Sequence, residues 1–147
     1  MSNDNMLDQK IFIIDDDHFT TAIYEKSLSN LGYTDIQVFH EGLTCLNELI
    51  NEPKIIFLDQ NMDEITGLEM LRKIKRFDPN IYVVMVSGQE DIETAVKALK
   101  IGAFDYIVKG EGDLEKINHV LLKISNVQEM LKRGNKGPIR KFLSLLV

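Results

Sequence analysis

One cysteine in 147 residues, Cys45, leaves no partner for an internal disulfide. That excludes a disulfide-stapled scaffold and makes a reducing, cytoplasmic setting the expectation. Long apolar runs are missing too, none approaching the ~18 residues that a membrane span requires. The opening MSNDNMLDQK is polar and acidic where a secretory signal is basic and then apolar. The expectation is a chain that is neither exported nor membrane-spanning and has no membrane partner. Cations are the minority charge, 17 against 23 acids for a net charge of −6. Five of them, Lys132, Arg133, Lys136, Arg140 and Lys141, follow Leu131 and no acid does, which leaves a body of −11. Duplex binding depends on clustered cations that neutralise phosphates, so the fold itself is expected to take no nucleic-acid partner. Low-complexity segments and short internal repeats are absent as well. What is there, 44% apolar and 27% charged residues, is the composition of a soluble domain with a single core.

Five short runs rich in β-branched or aromatic residues read as buried strands: IFII at 11–14, IQVF at 36–39, IIFL at 55–58, IYVVMV at 81–86 and YIV at 106–108. Helix-period segments follow each of them. Their apolar stripes are Phe19, Ile23 and Leu31; Leu43, Leu46 and Ile50; Leu68, Leu71 and Ile74; Ala95, Ala98 and Leu99; and Leu114, Ile117, Leu121 and Ile124. Gly32 and Gly102 suit helix stops. The last helix is expected from Leu114 to about Arg133. Five βα units in ~120 residues predict an α/β fold with a five-stranded parallel sheet, flavodoxin-like and doubly wound in the order 2-1-3-4-5.

Ligands of such sheets bind beyond the carboxyl ends of the strands, so the closing residues carry the chemistry. The first strand closes on Asp15, Asp16 and Asp17, the third on Asp59, the fourth on Ser87 and the fifth on Lys109. Converging carboxylates repel one another unless a cation neutralises them, and hard oxygen donors without a His/Cys cluster point to Mg²⁺. An ionised carboxylate left partly free can attack a phosphoryl group without a general base, while a lysine and a hydroxyl stabilise the transferred charge. The plainer reading of an acid after a strand is a helix N-cap, and Asp17 fits it. His18, His40 and His119 lack ligand spacing and read as surface or capping residues, and Cys45 as packing.

With those residues in order, the chain resembles a response-regulator receiver domain (CheY-like), the family that accepts a phosphoryl group from a histidine kinase in two-component signalling. IFIIDDD resembles its first strand and acidic pair, Asp15 and Asp16. LDQNMDEITG resembles its phosphoacceptor segment, VVMVSGQ supplies Ser87, and GAFDYIVK supplies Tyr106 and Lys109. The resemblance implies Asp59 as acceptor and Asn61 as a backbone-carbonyl metal ligand beside Asp15, Asp16 and Asp59. It implies Gly67 as turn glycine and Ser87 with Tyr106 as a switch toward the fourth helix, fifth strand and fifth helix. Two positions depart from the family pattern: Asp63 and Gly110 stand where prolines are usual. Without the proline, the Lys109–Gly110 bond is expected to be trans.

The organisation implied is a polar tail at 1–9, a receiver at 10–128 and a basic extension or linker at 129–147. Such a module acts as a phosphoacceptor that assists its own phosphorylation and dephosphorylation rather than as an enzyme with a separate substrate. Its partners are a histidine kinase or phosphotransfer protein and a downstream effector that the sequence does not name. The tail reads as a solvated linker, or as a basic arm laid on an acidic body in a salt-sensitive homodimer. A competing reading is a haloacid-dehalogenase-type phosphatase with Asp15 as nucleophile and Asp17 as acid. It leaves LDQNMDEITG unexplained and lacks a cap domain.

Overall fold

The structure, a computed structural model, describes residues 5–88 and 91–134. A 3-10 turn at Met6–Asp8 leads into β1 (Ile11–Ile14), α1 (His18–Asn30), β2 (Ile36–Phe39) and α2 (Gly42–Asn47), which is followed by a second 3-10 turn at Leu49–Asn51. Then come β3 (Ile55–Asp59), α3 (Gly67–Phe77), β4 (Tyr82–Ser87), α4 (Ile92–Ile101), β5 (Asp105–Val108) and α5 (Asp113–Gly134). The strands form one parallel sheet in the order β2-β1-β3-β4-β5, as the alternating pattern predicts. Residues 135–147, which carry three of the five cations that follow Leu131 and all of the linker-like stretch at 134–138 except Gly134, lie outside the described residues.

The three inner strands are apolar in their interiors, with Asp59 and Ser87 closing β3 and β4, because both sheet faces are buried. Phe12, Ile14, Ile56, Leu58, Val83 and Met85 share one face and join a core cluster with Cys45 of α2, Met70, Leu71 and Ile74 of α3, and Ala98 of α4. Ile11, Ile13, Ile55, Phe57, Val84 and Val86 alternate with them and are equally buried. Burial pushes the Cys45 thiol up to about 12, which fits an inert packing residue.

Two helices turn a different face inward from the one their large apolar residues mark. On α1, Phe19 (74% exposed), Ile23 and Leu31 lie outside, and Thr21, Tyr24 and Leu28 are buried. Thr21 and Tyr24 tolerate burial because their hydroxyls donate, to the His18 carbonyl at 3.0 Å and to Asp113 at 2.7 Å. On α2, Leu43 and Ile50 are exposed, Leu46 is half-buried, and the buried positions are Gly42 and Cys45, with Leu49 just beyond. A Cβ on Gly42 would sit 2.5 Å from Met70 Sδ and 2.7 Å from Ile65, so the closest approach of α2 to its neighbours selects glycine. Leu99 of α4 is exposed as well. Leu71 and Ile74 of α3 are buried as expected.

The chain divides into two compact units, Met1–Leu114 and Glu115–Val147. Within the second, α5 buries Ile117, Val120, Leu121 and Ile124, with Lys132 and Arg133 in its last turn. Cations there suit the partial negative charge of a helix C-terminus.

Gly67 opens α3 against the backbone that follows β3. Its N–H donates to the Gln60 carbonyl at 2.9 Å. An added Cβ would lie 2.7 Å from the Asp59 carbonyl oxygen and from Gln60 Cα, both main-chain atoms. Gly67→Ala should therefore destabilise the fold by roughly 1–3 kcal/mol, the usual cost of overpacking, although alanine is the better helix former. At Gly88 nothing lies within 4 Å of the same addition, so Gly88→Ala should be close to neutral. Urea midpoints of the two variants against the parent chain provide the check.

Candidate functional site

Strand register carries the closing residues of β1, β3, β4 and β5 to one edge of the sheet. Leu58 lies opposite Ile14, Asp59 opposite Val86, and Ser87 opposite Val108. The next amides continue the ladder: Asp15 N–H donates to Phe39 O at 3.0 Å, Gln60 to Val86 O at 3.3 Å and Lys109 to Ser87 O at 2.7 Å. By this register Asp15, Asp59 and Lys109 fall on the same pleat phase, which directs three charged side chains to one place. Ser87, 2% exposed, lies on the alternate phase with Met85 and Tyr106. Tyr106 is half-buried and packs against the core cluster.

Carboxylate oxygens of Asp15, Asp16 and Asp59 lie within 4.8 Å of one another. Asp15 and Asp59 are 3% and 4% exposed. Lys109 Nζ sits between them, 2.6 Å from Asp15 Oδ2 and 3.3 Å from Asp59 Oδ1. Both Asp15 oxygens are engaged, because its Oδ1 also accepts the Asp17 N–H at 2.9 Å. Asp59 differs. It accepts the Asn61 N–H, yet its Oδ1 is buried with the ion pair to Lys109 and no hydrogen bond.

Burial, reinforced by the Asp15 charge, raises the Asp59 carboxyl to about 6 even though Lys109 pulls it back. Desolvation opposes the Lys109 charge, but the hydrogen bond to Asp15 and the charges of Asp59 and Asp15 outweigh it and hold its pKa above the ordinary lysine range. Asp16 is raised by desolvation and by the charges of Asp15 and Asp63. Asp63, in the usual proline position, lines a crevice of about 100 Å³ with Asp16, His40, Glu41 and Glu64. An acidic mouth therefore surrounds an acidic floor.

The donor set fits a hard divalent cation. Three carboxylates meet, one has a buried oxygen without a hydrogen bond, and one ammonium is too few to neutralise them. Asp17 has the capping role: it accepts from Phe19 N at 3.1 Å and from the Thr20 hydroxyl at 2.7 Å. The phosphatase alternative needs Asp17 as acid and a free Asp15, and both are otherwise occupied.

Some neighbours of the site have no linear signal. His18 and His40 stack with ring centroids 3.6 Å apart, and His40 Nε2 lies 3.1 Å from the Thr21 hydroxyl. His119 is exposed. Asp113, the first residue of α5, accepts the Tyr24 hydroxyl and, at 3.4 Å, the Gly110 N–H. Among the described residues no peptide bond is cis, so Lys109–Gly110 is trans, with φ +130° at Gly110.

Comparison with known proteins agrees with this geometry. The family model "Response regulator receiver domain" matches residues 11–122. The chain is 34% identical over 100 residues, 67% of its length, to the transcriptional regulatory protein ZraR of Klebsiella oxytoca. It is 30% identical over 126 residues, 85% of its length, to the DNA-binding transcriptional regulator NtrC of Escherichia coli K12. Those stretches are 22% and 27% of the relatives' own lengths, so the chain spans about a quarter of these curated regulators. Among solved structures, a CheY-like receiver domain from Methanospirillum hungatei superposes with a TM-score of 0.71 at 27% identity, covering 81% of this chain and 98% of that one. CheY in the CheX-CheY-BeF3-Mg complex from Borrelia burgdorferi gives 0.74 at 25% identity, covering 79% and 88%. The sheet order, the strand-end acids and lysine, and a family match over most of the chain lead to one conclusion: this chain belongs to the response-regulator receiver family, the signalling modules of two-component systems.

Proposed function

We propose that Asp59 accepts a phosphoryl group from a histidine kinase or phosphotransfer protein and that this switches a partner-binding surface, making the chain a phosphorelay module rather than an enzyme with a separate substrate. The observation that carries the reading is the Asp59 carboxylate itself, buried, raised in pKa, and alone in the cluster in having a buried oxygen without a hydrogen bond. In transfer, an Asp59 oxygen bonds to phosphorus as the phosphorus–nitrogen bond of the donor phosphohistidine breaks, the electron pair leaving with the imidazole. Lys109 stands ready to balance charge on the transferred group, and Ser87 to donate its hydroxyl. Asp15, Asp16, Asp59 and the Asn61 carbonyl would hold Mg²⁺, which would supply the positive charge needed to neutralise the carboxylates and an incoming phosphoryl group. The Mg in the complex of the similar Borrelia protein supports that assignment.

Ser87 and Tyr106 share the sheet face that also carries Ala98 of α4, which supports their reading as the switch toward α4 and β5. Cytoplasmic localisation agrees with the absence, among the described residues, of any helix long and apolar enough to cross a membrane. The receiver is proposed to occupy 10–128, with a polar tail before it and a basic extension after it. No nucleic-acid contact is proposed for this domain, and a homodimer aided by the tail stays secondary to a solvated linker.

Acetyl phosphate with Mg²⁺ should place an acyl phosphate on Asp59. Asp59→Asn should abolish it, a chelator should abolish it, and Asp17→Asn should leave it. Peptide mapping of the label to Asp15, or labelling that survives chelation, refutes the proposal. Ser87→Ala should still take some label while the NMR shift changes on α4 and β5 shrink; an undiminished response removes Ser87 from the switch.

The raised Asp59 pKa also sets a pH dependence. In metal-free protein, folding favours the protonated acid, so the ionised form costs stability above about pH 6 and that cost fades as pH falls through 6 toward 4. Asp59→Asn should therefore be more resistant to urea than the parent at pH 7.5 in the presence of a chelator, with the advantage cut to roughly a third at pH 4.5. An advantage independent of pH means that Asp59 ionisation is not its source.

A further inference from the structure

The Lys109 ammonium touches both buried aspartates, yet the chain just beyond it has little to hold it. Gly110 and Gly112 take φ values of +130° and +81°. A Cβ built on either would meet nothing within 4 Å, so packing does not fix this turn. The proline usual after this lysine, which would restrict the backbone, is absent. Hydrogen bonds hold the turn instead. Lys109 N–H donates to Ser87 O on one side, and Asp113 closes the other, its N–H donating to Gly110 O at 3.2 Å and its carboxylate accepting the Gly110 N–H.

That carboxylate is in turn held by Tyr24, whose hydroxyl donates to Asp113 Oδ2 at 2.7 Å. Tyr24 is 4% exposed on α1, the helix that starts directly after the acidic triplet. A buried phenol on a packed helix is a fixed point, since its ring is locked by neighbours and its hydroxyl has its partner. Burial and the neighbouring Asp113 carboxylate keep the phenol protonated, with smaller contributions from the Asp15 and Asp59 charges. The hydroxyl thus remains a donor at any working pH.

We infer that Tyr24 is a positioning residue for phosphoryl transfer: through Asp113 it anchors the glycine turn after Lys109 and so holds the ammonium between Asp15 and Asp59. The inference rests on Asp59 as phosphoacceptor and deepens that reading. Tyr24 touches none of the reacting atoms; it sets where the ammonium is when they meet.

Tyr24→Phe removes the tether and keeps the ring, and Asp113→Ala removes it from the other end at a half-buried position. Labelling of the full chain by acetyl phosphate with Mg²⁺ should slow roughly tenfold in both, less than the ~100-fold that a full ångström of misplacement can cost. In nitrogen-resolved NMR of lysine amines, the Lys109 signal should move toward that of an exposed lysine in both variants while the Lys97 signal stays. In a Lys109→Ala background, Tyr24→Phe should slow labelling no further. Unchanged labelling overturns the inference. So does slowing with an unmoved Lys109 signal, or equal slowing in both backgrounds, since either makes the effect merely structural. A parent chain that takes no label on Asp59 defeats the functional reading instead, and the Lys109 signal alone then decides whether Tyr24 positions the ammonium.

Discussion

Two carboxylates buried side by side and one ammonium reaching both form the constraint on which the site depends. Asp15 and Asp59 are almost wholly shielded, and Lys109 is the cation in contact with both. Burial, reinforced by repulsion from the Asp15 charge, disfavours the ionised form, which is why Asp59 stays protonated to higher pH than an ordinary aspartate. A fold would not keep this arrangement for its own sake, because an apolar trio of similar volume would pack there at lower cost. The charge deficit is what makes the site receptive to a divalent cation.

The sheet was legible because its signal is simple. Runs such as IFII and IIFL are buried on both faces and need no choice of face, so the strands fall within a residue of their expected bounds. Helix faces were less legible. A stripe of large apolar residues is a sound guide for α3, where Leu71 and Ile74 are buried, and a poor one for α1 and α2. In α1 the inward positions include a threonine and a tyrosine whose hydroxyls find partners in space. In α2 they include a glycine selected by Met70 and Ile65. The Tyr24 partner Asp113 and the Gly42 neighbours Met70 and Ile65 lie too far along the sequence for periodicity to register them.

The same distinction separates the legible part of the site from the rest. Asp15, Asp16, Asp59 and Lys109 close β1, β3 and β5, so sheet order brings them together, while Ser87 closes β4 at the same edge on the alternate phase. The roles of Asn61 and Gly67 come only from the resemblance of LDQNMDEITG to the family's segment, not from any pattern of residues. Tyr24 and Asp113 are 89 positions apart, and each has an ordinary local reading, one as a helix aromatic and the other as an acid at a helix start. The stacked His18 and His40 meet only because parallel pairing puts the end of β1 beside the end of β2.

The two sides of Asp59 are also held by different forces. On the α3 side, Gly67 packs against the main chain of Asp59 and Gln60 with no room for a methyl group, so the Asp59 backbone cannot shift without moving a helix. On the β5 side the turn after Lys109 meets no packing and hangs on a few hydrogen bonds, each worth on the order of 1 kcal/mol. Close packing resists displacement steeply, whereas a hydrogen-bonded turn can adjust at small cost. Under the proposed phosphorylation, a phosphoryl group on Asp59 would enlarge that side chain and increase its charge, and the ammonium would have to follow the new oxygens. The rigid side would then hold the proposed nucleophile in line for transfer while the soft side let the counter-charge move, so the missing proline at Gly110 is compatible with that chemistry as long as a tether limits how far the turn can wander.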